Sequence, residues 1–271
     1  MELDLVQRRG LNFTAKKKEA PMKSEVKLLD FWNSDREIAE SAWASTQKKE
    51  RTEGDVYRVI TQSIVPLQHD TPKEAVWFRF WIRCPIYVER QLDKYRMSIQ
   101  KQDFRIEYEQ GGFGRLGITQ NELSLRYRTM PNDYIEIPED IENILKRIDD
   151  TRAEEISLAD AFYNRVMNFA LTSYQMMVEV LRISIETEQI NYQELKRVRE
   201  FFRGVLGTGF FTDMQIICNL NALEHILNQR LAPEAQPEAR EVARMMLDEV
   251  EAVCPIAITE MIKINNWKDE A

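Results

Sequence analysis

Apolar positions change their spacing several times along the chain, and each change marks an element. Residues 1–30 carry neither a helical nor a strand period, are basic at Lys16, Lys17 and Lys18, and predict an irregular arm with room for one strand. Ser34 and Asp35 suit a helix cap, and Ile38, Ala42 and Ser45 follow at helical spacing, which predicts a helix over 34–47. Val56, Val59, Ile60 and Ile64 share one face of a second helix over 52–66. The run AVWFRFWIRC at 75–84 alternates apolar and basic residues and reads as a strand. Pro85 suits the first position of a helix continuing through 86–98. Gly111, Gly112, Gly114 and Gly117 make 99–120 a loop or hairpin excursion. The helical period resumes near 138, with a long amphipathic or largely buried helix at 154–188 and another at 191–206. A short strand at 212–218 precedes helices at 220–231, 237–252 and 255–264. No repeat, low-complexity tract or linker interrupts this order. The pattern predicts an α+β fold, a mostly helical single domain over 31–271 with a small antiparallel sheet, preceded by the arm.

With 271 residues, 44% of them hydrophobic, the chain can bury a sizeable core. Its formal net charge of −8 argues against general binding of nucleic acid polymers, whose phosphates need clustered Lys and Arg. A few placed arginines can still hold a small anion. Cys84, Cys218 and Cys254 are scattered and odd in number, which argues for a reducing compartment and against a disulfide framework or zinc site. The start, MELDLVQRRG, has no apolar signal core, and no apolar run reaches membrane-spanning length, so a cytoplasmic protein with no membrane or metal partner is expected.

Gly112 to Gly117 fits GxGxxG literally, but the preceding FRIEYEQ is polar and no parallel β-α-β alternation follows, so a flexible loop accounts for it better than a dinucleotide fingerprint. In NELSLRY, an extended backbone points Glu122, Ser124 and Arg126 to one side. That set could hold a phosphate and a sugar hydroxyl; on residue type alone a solvated strand face is the simpler account. Ser124 has no nearby His and carboxylate to activate it, so it reads as a binding group rather than a nucleophile. Trp77, Phe78, Phe80 and Trp81 read as core or subunit interface, and the charge-rich stretch 189–203 as a solvated helix face.

NELSLRY is similar to the end of RHRxxSxNELSxRY, the signature of flavin-dependent thymidylate synthases. His69-Asp70-Thr71-Pro72-Lys73-Glu74 resembles that family's HxTPxEH, and Pro85-Ile86-Tyr87-Val88-Glu89-Arg90-Gln91 follows a strand as in the family. Asn219 to Arg230 resembles NxRSLxHFLxLR, Ala235-Gln236-Pro237-Glu238 resembles HAQWEI, and Cys254-Pro255 matches a late Cys-Pro. The blocks keep the family's order from about 41 to 260, with an insertion between Ser98 and Asn121. Departures are Lys94-Tyr95-Arg96 in place of Arg-His-Arg, Ala75 in place of the second histidine, and Asn221 in place of the arginine of NxR. Lys94 keeps a positive charge without the bidentate fork, and Tyr95 keeps a flat ring that cannot be cationic.

The resemblance implies the family's fold and a homotetramer with FAD bound between subunits. In the family, reduced flavin passes a one-carbon unit from methylenetetrahydrofolate to C5 of dUMP, giving dTMP for nucleotide biosynthesis; NADPH reduces the flavin, and no cysteine attacks the pyrimidine. By motif position it implies nucleotide contacts from Gln91, Lys94, Glu122, Ser124, Arg126, Arg203 and Arg230, the last also catalytic. It implies flavin contacts from Ser45, His69, Thr71, Glu74, Tyr95, Arg96, Asn219 and His225. Arg203 rests on its spacing from Asn219 and Arg230, and a helix-surface arginine is the lesser alternative. The altered motif and the insertion leave open another uracil nucleotide such as UMP, another C5 product, or an inactive nucleotide-binding relative.

Overall fold

The computed structural model describes residues 23–44, 51–93, 118–122, 134–150 and 157–268, with Ile118–Glu122 described by its backbone. In chain order the strands are β1 (Glu25–Trp32), β2 (Trp77–Pro85), β3 (Ile118–Glu122) and β4 (Phe211–Asn219). The helices are α1 (Asp35–Ala42), α2 (Glu53–Val59), α3 (Asp70–Lys73), α4 (Ile86–Asp93), α5 (Glu139–Asp149), α6 (Arg165–Glu186), α7 (Tyr192–Phe202), α8 (Leu220–Arg230), α9 (Pro237–Glu251) and α10 (Pro255–Asn265). They fall into two compact units: the described parts of Lys23–Ser124 and Thr208–Ala271, and those of Leu125–Gly207.

The first unit is built on an antiparallel sheet in the order β1-β2-β4-β3. The alternation read in β2 sorts its side chains cleanly. Phe78, Phe80, Ile82 and Cys84 are fully buried in the core, while Trp77, Arg79, Trp81 and Arg83 are half-buried on the opposite face. On that second face Arg83 reaches its cross-strand partner Asp213 through two hydrogen bonds of 2.6 and 3.0 Å. Lys27 and Arg83 each lie 5.0 Å from the centre of the Trp81 ring. The register pairs Trp77 with Asn219 at one end of β2 and Pro85 with Phe211 at the other.

Helices α8, α9 and α10 supply much of the apolar layer against the buried sheet face, including Leu223, Ile226, Leu227, Val242, Met246 and Ile258. Helix α10 begins with Pro255, and its N-terminus is capped from a distance. The buried Asp35 carboxylate of α1 accepts from the Ile256 and Ala257 amides at 2.8 and 2.9 Å.

Several boundaries differ from the sequence pattern. The single strand expected within the arm is β1, and it runs on to Trp32. Helix α1 stops at Ala42, short of 47, and residues 45–50 lie outside the described set. The helix expected at 52–66 is α-helical only to Val59 and continues as a π-helical turn, Ile60–Ile64. Val56, Ile60 and Ile64 step by four and are all buried on one side. The stretch 118–120, read as loop or hairpin, belongs to β3.

In the second unit a π-helical turn, Asp160–Asn164, leads into α6, and α7 gives way to a 3-10 turn, Arg203–Val205. The Leu158 amide donates to the Asp149 carboxylate, and the Tyr163 hydroxyl donates to the Ile135 carbonyl at 2.7 Å.

Candidate active site

The antiparallel pairing of β2 with β4 brings together segments far apart in sequence. Because Trp77 faces Asn219, the stretch leading into β2 meets the stretch leaving β4, and the Leu220 amide donates to the Val76 carbonyl at 2.9 Å. His69–Glu74 therefore lies beside the head of α8. Asn219 caps that helix, its Oδ1 accepting from the Ala222 amide at 2.8 Å. A buried cation ties the two segments. Lys73, only 2% exposed, hydrogen-bonds Glu224 on α8, and its Nζ lies 2.9 Å from Asp70. Around this pair His69, Thr71 and His225 are exposed and Glu74 is half-buried. Ala75, where the family pattern has a histidine, offers its carbonyl to the Asn33 side chain at 2.7 Å.

The other end of the sheet carries a second cluster. The amides of Ile86 and Tyr87 donate to the carbonyls of Phe210 and Thr208, which anchors the start of α4. Gln91 on α4 then meets Arg230 at the end of α8. The guanidinium donates to the Gln91 side-chain and backbone oxygens, both at 3.2 Å. The Gln91 amide donates in turn to Gln236, the cap residue of α9. Helix α8 holds Asn219 and Arg230 about 16 Å apart at 1.5 Å per residue.

Of the residues read from sequence, the structure thus groups His69, Thr71, Glu74 and Asn219 at the head of α8 and Gln91 with Arg230 at its end, with His225 midway along the helix. Ser45, Lys94, Tyr95, Arg96, Ser124 and Arg126 lie outside the described residues, as does the GxGxxG stretch. Glu122 ends β3 opposite Met214, with only its backbone described, and Arg203 opens the 3-10 turn of the second unit, its side chain likewise not described. Lys73, Glu224 and Gln236 were not singled out from sequence.

The donors at the head of α8 fit a flavin. The Asn219 side-chain amide, the Thr71 hydroxyl and the His69 imidazole, with the exposed His225 imidazole about two turns along the helix, can meet a pyrophosphate and the polar edge of an isoalloxazine ring. All three cysteines are buried. Burial pushes the Cys218 thiol up to about 12. Cys254 is raised by burial, with Asp35 and Glu37 adding to it. Among the described residues no group of His, Cys, Asp and Glu could hold a metal ion, and no helix is long and apolar enough to cross a membrane.

The family profile described as thymidylate synthase complementing protein (Thy1) matches residues 27–256. A flavin-dependent thymidylate synthase of Thermus thermophilus is 28% identical over 240 residues, covering 87% of this chain and 74% of the relative. One from Thermosipho melanesiensis is 24% identical over 245 residues, covering 90% and 92%. Among solved structures, the UMP/dUMP methylase PolB from Streptomyces cacaoi, bound with 5-Br dUMP, superposes with a TM-score of 0.60 at 21% identity, over 90% of this chain and 96% of that one. The chain belongs to the flavin-dependent thymidylate synthase family and is an enzyme of the methyltransferase class. The PolB superposition supports the α+β fold that the motifs implied.

Proposed function

We propose that this protein methylates C5 of dUMP to give dTMP, with FAD bound, methylenetetrahydrofolate as one-carbon donor and NADPH as reductant. The observation carrying this reading is the meeting of His69–Glu74 with Asn219–His225 through the Trp77–Asn219 register. When bound, the flavin supplies the redox and one-carbon chemistry. The side chains do the rest. His69, Thr71, Glu74, Asn219 and His225 hold and orient the cofactor, joined by Ser45, Tyr95 and Arg96. Arg230 and Gln91 take the nucleotide, with Lys94, Glu122, Ser124, Arg126 and Arg203. A guanidinium suits a phosphate or the carbonyl edge of uracil, and the Glu122 carboxylate suits a ribose hydroxyl. Burial of every thiol supports chemistry without a cysteine nucleophile.

The two clusters lie at opposite ends of α8, which supports a site completed by a second copy within a homotetramer. The protein works in the cytoplasm on this reading. A second reading, with UMP as substrate, is favoured by the PolB relative, solved with both 5-Br dUMP and 5-Br UMP, and by Lys94-Tyr95-Arg96 in the place of Arg-His-Arg.

The test is product mass after incubation with FAD, NADPH, the folate and either nucleotide. Conversion of dUMP to a product one methylene heavier is expected. Modification of UMP but not dUMP would replace the first reading with the second, and modification of neither would end both.

A further inference from the structure

In the resemblance that led to this site, two positions are left open: the x of TPxE and the x of SLxH. Here Lys73 and Glu224 occupy them. They sit on different elements, α3 and α8, and each belongs to a segment that carries cofactor contacts on the reading above. Their side chains meet where almost no water reaches, Lys73 being 2% exposed and Glu224 13%. Asp70, itself largely exposed, also reaches the cation, at 2.9 Å.

A buried ion pair is a poor source of stability, because desolvating both charges offsets most of their attraction. What it does supply is geometry. An ammonium in an apolar setting must stay within hydrogen-bond reach of its carboxylates, which fixes the distance between the backbones that carry them. Helix α3 has only four residues; Pro72 and Lys73 are buried, and it packs against α1 as well as α8. Its neighbour in sequence, His69, is the exposed residue at its start and has no side-chain cap bond of its own. The Leu220–Val76 hydrogen bond joins the two segments at one point; Lys73–Glu224 joins them at a second, one helical turn further along α8. Two attachment points fix an orientation where one leaves a pivot.

We propose that Lys73 is a positioning residue: its ion pair with Glu224 holds the His69–Glu74 segment against the head of α8 and so sets the shape of the cofactor site. The inference rests on the flavin reading above. Flavin uptake is measured by fluorescence titration with FAD, and folding by urea unfolding, in wild type, Lys73→Arg and the double variant Lys73→Met/Glu224→Leu. The double variant replaces the charges by apolar groups of similar size. It is expected to unfold at a midpoint no lower than wild type and yet bind FAD about tenfold or more weakly, the range seen when outer partners of ligand-holding groups are lost. Lys73→Arg, which keeps the charge, is expected to retain most of the affinity. A double variant that binds FAD as tightly as wild type overturns the proposal. Should the double variant fail to fold, Glu224→Gln carries the affinity reading: it leaves Lys73 to Asp70 alone, so its urea midpoint is expected to fall while the protein stays folded, and FAD affinity equal to wild type overturns the proposal. A wild-type protein that takes up no FAD would defeat the flavin reading together with the inference. Unchanged affinity in the variants of a flavin-binding wild type defeats the inference alone.

Discussion

At the scale of single residues, Arg230 is the cation of the proposed nucleotide end whose side-chain contacts are described. It is half-buried and aligned by two oxygens of Gln91. Arg230→Ala is expected to weaken nucleotide binding by about 1.5–3 kcal/mol, the worth of a hydrogen bond to a charged group, while the protein stays folded. Calorimetric titration with dUMP and UMP checks this, and unchanged affinity for both would remove Arg230 from the site. The cysteines give a second expectation. With a thiol pushed up to about 12, only ~10⁻⁴ of Cys218 is thiolate at about pH 8. A chromogenic disulfide reagent should leave the folded protein unlabelled and release three equivalents, one per cysteine, when urea unfolds it. Rapid labelling of a native thiol would contradict the burial described above.

At the scale of elements, the cap on α10 links stability to pH. Burial raises the pKa of Asp35, against the lowering pull of the Ile256 and Ala257 amides. An acid with a higher pKa folded than unfolded binds protons better in the folded state. Its contribution is therefore full at low pH and is lost as pH rises through the folded pKa. Asp35→Asn does not ionise and escapes that loss. Relative to wild type, the variant should gain stability as pH rises from the ordinary carboxylate range, read from urea midpoints; a flat or opposite trend would count against it. Asp35→Ala, with no acceptor, should cost about 0.5–2 kcal/mol. The elements that carry the site were largely legible in the sequence. Strands β2 and β4 announce themselves by alternation, and α8, α9 and α10 by period and by Asn219, Pro237 and Pro255 at their starts. Helix α3 has too few residues to show a period, and the π-helical turn after α2 hides inside a step of four. His69 and His225 could be found because motif positions name them. Lys73 and Glu224 could not, since their pairing depends on a strand register and on burial that no linear pattern records.

At the scale of the whole molecule, the separation along α8 makes a prediction about assembly. If each site draws its cofactor end from one subunit and its nucleotide end from another, two defective chains can repair each other. His69→Ala removes an exposed group at the first end and Arg230→Ala one at the second. Each alone should be nearly inactive. Equal co-refolding of the two should restore about a quarter of the sites, the share in which both halves are intact. No recovery would mean that one chain builds the entire site. The seclusion of all three thiols also bears on inhibition. A fluorine at C5 arrests enzymes that add sulfur to C6 of the pyrimidine, because the adduct cannot shed the halogen as it would a proton. A protein with no sulfur to offer has no such trap. Halogenated uracil nucleotides would therefore act on this enzyme as reversible competitors that wash away, and a lasting blocker would have to be aimed at the cofactor instead.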